Sequence, residues 1–345
     1  MQWLQGGLVV VRAAAKGAAE GTHATAELAL EYAEHLMRSA FVGMAPSLAV
    51  QAVGLVGQVF SEYTGGFLAP LHVGGGGGTE GLGGRAAGLI ARRLGRPMGV
   101  LASIAEREVL DLSSEGTEDE HEQAAAATGA ALLGGLRSIL PCLTKEVMEG
   151  EETRNSFLRM AEQAITNHAG HVVRMPPAAV ATLVGSIASS LSSPRQETAA
   201  AAMSALYDLA EFHAQGTTAP AGGADGPLSA HFRATPGLLA KLIGPTLSAV
   251  LHPSRAPVLG PRAAQLLLAV AVCDTVGFRT AMQRIAKSQA TAALGERFMS
   301  AVGGLMGGAR PALDKRSRKL FRERFDAFLV DAMGYVAIAP ELGAY

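Results

Sequence analysis

Along most of this chain apolar residues recur three and four positions apart, the spacing that lines up one face of an α-helix. The pattern is clearest in the second half. From Pro177 to about Leu191, Val180, Leu183, Val184, Ile187 and Leu191 form one stripe that asks to be buried. A further helix is expected at once: Ser193 suits an N-cap, Pro194 the first helical position and Gln196 a capping box. Its inward face would carry Met203, Leu206, Tyr207 and Ala210. Thr235 and Pro236 repeat the cap-then-proline signature ahead of Leu239, Leu242, Ile243, Leu247 and Val250, with a partner helix from about Pro261 to Cys273. Another pair follows, with Phe278, Met282 and Ile285 on one helix and Leu294, Phe298, Val302 and Leu305 on the next. Asp314 then caps a closing helix striped by Phe321, Phe325, Phe328, Leu329, Met333 and Val336.

In the first half the same reading predicts helices at Ala24–Ala40, Ser47–Tyr63, Gly84–Leu112, Glu120–Leu140 and Glu151–His168. Helix-pair starts near Pro236, Val276 and Asp314 recur at about the 40-residue spacing of HEAT or armadillo units. The expected fold is therefore all-α: a single α-solenoid of HEAT-type antiparallel helix pairs over residues 1–345, wound as a right-handed superhelix. No pair buries its face alone, and stacking leaves a long concave surface suited to protein partners. Three interruptions are expected: a flexible glycine-rich insertion at 72–84, an acidic loop at 111–122 and a flexible Gly/Pro/Ala insertion at 216–227.

Composition supports helices over sheets. The chain is 49% hydrophobic but only 5% aromatic, and β-branched alternation is nearly absent. Lys and Arg number 29 against 30 Asp and Glu, which removes the footprint of a general nucleic-acid binder. Cys142 and Cys273 lie far apart in apolar contexts, so buried thiols in a reducing compartment are expected rather than a disulfide or zinc site. The first residues lack the basic n-region of a signal peptide. Phe41 to Ser61 is uncharged and about one bilayer span long, but Pro46, Gln51, Gln58 and three glycines argue against membrane insertion.

Candidate chemistry is sparse. Gly76, Gly78 and Gly81 fit G-x-G-x-x-G by letter only, since no strand or βαβ unit surrounds them. His168 and His171 are spaced for one helical face but lack the third ligand a zinc site needs. No nucleophile elbow is present. The acidic run DLSSEGTEDEHE, with Ser114 and Thr117 as phosphate acceptors, suits a basic partner or simply a solvated connector. The densest charge is Lys315, Arg316, Arg318, Lys319, Arg322 and Arg324, a candidate partner-contact patch diluted by Glu323 and Asp326. No catalytic residues, cofactor or metal are expected.

Two stretches carry a resemblance. Ile139 to Phe212 (ILPCLTKEVMEG…SALYDLAEF) sets a proline before a leucine-rich helix and an L-x-x-L helix after it, with the acidic connector ahead. Phe278 to Ile338 ends in a basic, phenylalanine-containing helix. From about Leu101 to Ile338 the chain resembles the C-terminal portion of the exportin branch of the importin-β (karyopherin-β) superfamily, in the group of exportin-4 and exportin-7. The Ala/Gly enrichment and the two Gly-rich insertions depart from that pattern. The resemblance implies nuclear export: binding a protein cargo together with the Ran GTPase in its GTP form, contact with nuclear pore proteins, and shuttling between nucleus and cytoplasm. Full chains of that family are longer, so a tail lacking the N-terminal Ran-binding repeats is expected. A HEAT scaffold or regulatory subunit of another complex fits the same helices.

Overall fold

The computed structural model describes residues 20–39, 44–70, 84–106, 117–216, 226–307 and 311–339, together with Gly6, Val9, Ala13 and Leu342. Among these residues there are fourteen α-helices and no strand. The chain divides into two compact units, Met1–Met175 and Pro176–Tyr345.

The first unit holds α1 (Glu20–Ser39), α2 (Pro46–Tyr63), α3 (Gly84–Ala105), α4 (Glu118–Ile139), the one-turn α5 (Lys145–Met148) and α6 (Glu151–Val172). α3 packs along α1 and α6, and α2 along α4. Pro46 occupies the first turn of α2, where its missing N–H costs nothing. A π-helical turn, Thr64–Leu68, prolongs that helix. α4 begins at Glu118, so the acidic run is shorter as a loop than its composition suggests. Thr117 and Glu120 form a complete capping box, and Glu118, Asp119 and Glu120 favour the positive end of the helix dipole. The remainder of that run and residues 72–83 lie outside the described residues. Gly84 opens α3, where the helix expected from Gly84 begins.

α3 is tied to α6 at its end. Asn167 Nδ2 donates to the Ala105 carbonyl at 2.7 Å, satisfying an acceptor the helix terminus leaves open, while Arg159 pairs with Glu106. Near the C-terminal end of α4, Gly135 lies under Leu101 of α3: a Cβ there would sit 2.3 Å from the Leu101 Cδ2.

The second unit contains α7 (Pro177–Ser189), α8 (Gln196–Gln215), α9 (Ser229–Ala234), α10 (Ile243–Val250), α11 (Ala256–Cys273), α12 (Thr275–Lys287), α13 (Ala292–Met306) and α14 (Lys315–Ala332). α11 packs on both α8 and α14. The α7 stripe of Val180, Leu183, Val184, Ile187 and Leu191 is wholly inaccessible. The next start differs from its sequence signature. Ser193 Oγ accepts from Arg195 N at 3.3 Å and is spent on that tight turn, and Gln196 Nε2 reaches the Ser254 carbonyl. Arg195 therefore becomes the N-cap and no capping box forms. After Pro236, Gly237 turns left-handed (φ 71) and Ala240–Leu242 is a 3-10 turn, so the α-helix starts only at Ile243. Its partner starts earlier than expected, at Ala256; Pro261 sits near its N-terminus, where the lost hydrogen bond is to a first-turn carbonyl. Asp314 caps α14 through Arg316 N and Ser317 N, both at 3.0 Å. Phe321, Phe325, Phe328 and Leu329 are buried, whereas Met333 and Val336 lie beyond the helix and are half-buried. Of the insertion expected at 216–227, residues 217–225 lie outside the described residues; Gly216 closes α8 and Gly226 and Pro227 precede α9.

Among the described residues, Glu118–Cys142 and Ala256–Cys273 are long and apolar enough to cross a membrane. Pro46–Tyr63 is not one of them. Ala256–Cys273 is largely enclosed in its unit, with Leu266, Leu267, Leu268, Ala269, Val270 and Ala271 all buried.

α12 and α13 meet at Gly295, where a Cβ would come within 2.6 Å of the Ala286 carbonyl oxygen, a backbone atom that cannot swing aside. Gly295→Ala is expected to destabilise the fold by about 1–3 kcal/mol through overpacking, read as a lower urea midpoint by circular dichroism. An unchanged midpoint counts against this contact.

Candidate partner-binding face

The six basic residues of the closing helix do not act as one patch. Arg318 is drawn inward: it pairs with Glu211 of α8, donates from Nε to the Leu313 carbonyl at 2.6 Å, and lies 5.8 Å from the centre of the Tyr207 ring. Lys319 and Arg322 pair along the helix with Glu323 and Asp326, at 4.0 and 3.0 Å. Arg324 turns toward the end of α13, donating weakly to the Met306 carbonyl at 3.5 Å and closing over Gly307. Lys315 and Arg316 remain exposed on the first turn, with no ion-pair partner among the described residues. There the helix dipole is positive as well, so this end presents concentrated positive potential that Asp314 offsets only in part.

Arg318, Lys319 and Arg322 edge a cleft of about 210 Å³ whose floor is Pro261, Ala264 and Leu268 of α11. Tyr207 lines the same cleft. Burial and then Glu211 push its phenol up to about 12, so it is a neutral hydroxyl at physiological pH. The cleft thus has an apolar base and a cationic rim whose charges are already largely answered by carboxylates.

The two histidines singled out by spacing lie at a break in α6. His168 has non-helical angles (φ −133, ψ 29) and only 6% exposure, and its Nε2 has no hydrogen-bond partner among the described residues. His171 lies over Gly129 of α4, and the two rings are 6.2 Å apart. No group of three metal-ligating side chains occurs among the described residues. Cys142 and Cys273 are buried and free. Burial raises both thiols, that of Cys273 to about 12, so both are poor nucleophiles. Gly76, Gly78, Gly81 and Ser114 lie outside the described residues; Thr117 is occupied as an N-cap.

One polar cluster has no counterpart in the sequence reading. His23 Nε2 lies 2.9 Å from the Tyr63 hydroxyl, His23 Nδ1 is 3.8 Å from Glu27, and Tyr63 donates to the Arg93 carbonyl at 3.3 Å. Arg93 in turn donates to the Phe67 carbonyl at 3.1 Å. That carbonyl belongs to the π-helical turn that prolongs α2. The order carboxylate, imidazole, hydroxyl looks like a catalytic relay, but Tyr63 is wholly inaccessible and burial drives its pKa upward. A nucleophile needs the reverse shift and access to substrate, so the arrangement is a buried hydrogen-bond network. His23 and Glu27 share a helix face at i, i+4, a readable hint; Tyr63 and Arg93 come from other helices and leave no local signature.

No family model matches the chain, and no curated protein matches it.

Burial lowers the pKa of His168, His171 and His23, assisted by neighbouring positive charge. Below the ordinary value of 6.5 the unfolded chain takes up these protons before the folded one does, so stability falls as pH drops through 6.5 toward the depressed folded values and levels off beneath them. His168→Gln is expected to flatten this acid loss, measured by urea denaturation between about pH 7.5 and pH 5. Equal pH dependence in variant and wild type would remove His168 as a cause.

Proposed function

We propose that this chain is a helical-repeat, protein-binding segment of a nuclear export receptor, acting on protein cargo together with Ran in its GTP form. One observation carries the reading: within each unit, helices two or three elements apart lie side by side, α1 with α3 and α3 with α6, α8 with α11 and α11 with α14. That is how successive helix pairs of a HEAT-type solenoid stack, and such stacks work as partner-binding scaffolds. The order of helix pairs and the basic, phenylalanine-striped closing helix support the exportin form of it. In this reading the chain contacts nuclear pore proteins, shuttles between nucleus and cytoplasm, and performs no chemistry of its own. Cargo and Ran would each raise the other's affinity by the same factor.

The test is retention of Ran on the immobilised chain together with any helix pairs encoded upstream of it, since the resemblance puts the main Ran contact in N-terminal repeats. Ran loaded with a non-hydrolysable GTP analogue is expected to bind and Ran with GDP is not; equal retention of the two overturns the transport reading. Within the closing helix Lys315 and Arg316 are the cations left for a partner, and a Lys315→Glu, Arg316→Glu double variant is expected to weaken the GTP-dependent interaction about tenfold, or ~1.4 kcal/mol. Its melting temperature should stay at the wild-type value, because neither side chain is committed within the fold. Undiminished binding by the double variant excludes this end of α14 as the contact.

A further inference from the structure

We infer that the outward face of α4, with α2 beside it, is a self-complementary surface on which a second copy of this chain docks antiparallel. Burial divides α4 cleanly. His121, Ala124, Thr128, Leu132, Leu136 and Ile139 are buried on one side. On the other, Asp119, Glu122, Ala126, Ala130, Gly134 and Arg137 are exposed, recurring every three or four residues so that they share one helix face. Between Glu122 and Arg137 the helix carries no charged residue. Glu118–Cys142 is apolar enough to cross a membrane by length and composition, yet only 44% of its apolar window is buried within the fold. A solvent-facing helix ordinarily sets charged and polar residues opposite its core stripe.

α2 extends the same surface. Because α1, α3 and α6 lie side by side as one layer, α2 and α4 form the other. A Cβ at Gly57 of α2 would lie 3.8 Å from that of Ala131 of α4, an ordinary contact between the two helices. α2 exposes Leu48, Gln51, Gln58 and Ser61 and has no charged residue before Glu62. Above Gly54 and Gly134 the space is open, since a Cβ at either would meet no neighbouring atom within 4 Å. A specific interface takes roughly 1,000 Å² or more, so the width of two helices matters.

The placement of charge selects the occupant. The exposed face of α4 is acidic at its start and basic at its end, and Asp119, Glu122 and Arg137 form no ion pair among the described residues. A two-fold axis level with Thr128 sets Asp119 opposite the partner's Arg137, Glu122 opposite the partner's Gly134 one turn away from that guanidinium, and Ala126 opposite the partner's Ala130. The same pairings repeat at the far end, as an isologous contact requires. Opposed helix dipoles favour this antiparallel arrangement. A lipid surface gains nothing from acid and base set at equal distances from a midpoint, whereas an antiparallel copy uses both.

The test is the mass of the full chain against concentration by sedimentation equilibrium. Wild type is expected to pass reversibly from one chain to two. Arg137→Glu sets like charges together at both ends and should weaken association at least about tenfold. An Asp119→Lys, Glu122→Lys variant should weaken it similarly, and an equimolar mixture of the two variants should restore wild-type affinity to within about twofold, because every end then pairs opposite charges. The Thr117–Glu120 capping box is untouched in both, and unchanged circular dichroism checks that each folds. The inference is overturned if wild type stays a single chain, including a chain that instead co-sediments with phosphatidylcholine vesicles. It is equally overturned if Arg137→Glu associates as wild type does, or if folded variants fail to rescue each other. Ran is absent from this experiment, so its outcome is independent of the Ran retention test.

Discussion

Close approach between helices is the constraint on which both units depend. With 5% aromatic residues the chain has few large side chains to fill space, and its interior is built from alanine, leucine and valine. Between α8 and α11 the buried residues include Ala199, Ala202, Ala205 and Ala210 on one helix and Ala263, Ala264, Ala269 and Ala271 on the other. Short side chains bury little area each, so the interface gains cohesion only if the backbones come near enough for dispersion to act over many atom pairs. That proximity removes slack. Where Gly135 meets Leu101, or Gly295 the Ala286 carbonyl, one methyl group is already too much.

Such packing brings helix ends against neighbouring elements, and their open carbonyls need donors. Asn167 serves Ala105 and Arg255 serves Ser193 at 2.8 Å. Arginine suits this task because its fork bonds a carbonyl while the same group pairs with a carboxylate or lies on a ring, as Arg318 does with Glu211 and Tyr207. The consequence reaches function. Basic residues that look like a surface patch when counted along the sequence are in large part committed within the fold, and the charge left for a partner gathers at one end of α14.

This division explains what the sequence could and could not convey. The stripes were legible because burial follows the 3.6-residue period: every residue predicted to line α7 is buried, and Asp314 caps α14 as its spacing suggested. Starts were less so. A Ser-Pro or Thr-Pro pair reports a chain about to turn, and whether it enters an α-helix depends on where the side-chain oxygen finds its donor. Ser193 found Arg195 N, and the Pro236 turn passed through Gly237 and a 3-10 segment first. The basic cluster was legible as residues but not as a site, since Glu211 lies 107 positions from its partner. The same holds for Gln289 and Ala337, 48 positions apart, a pairing that no local pattern announces.

Both units place polar groups inside. The first encloses Tyr63, His168, Ser103 and most of Glu34, the last answered by Arg38 at 2.8 Å and by Arg96 at 3.7 Å. Polar groups in such surroundings hold only while each keeps its partner, so they fix register between α1, α2 and α3 more firmly than aliphatic contacts would, at the cost of sensitivity to protonation. The second unit likewise buries polar groups among its aliphatic and alanine side chains: His213 and Thr246 are wholly inaccessible, and His213 Nδ1 accepts from the Leu228 N–H at 3.0 Å, while Arg318 and Arg297 make ion pairs nearer the surface. Gln289 shows the same rule at its strictest: 8% exposed, it spends both polar atoms of its amide on the Ala337 main chain and a further bond on the Ile285 carbonyl, so losing either partner would leave a buried polar group unanswered.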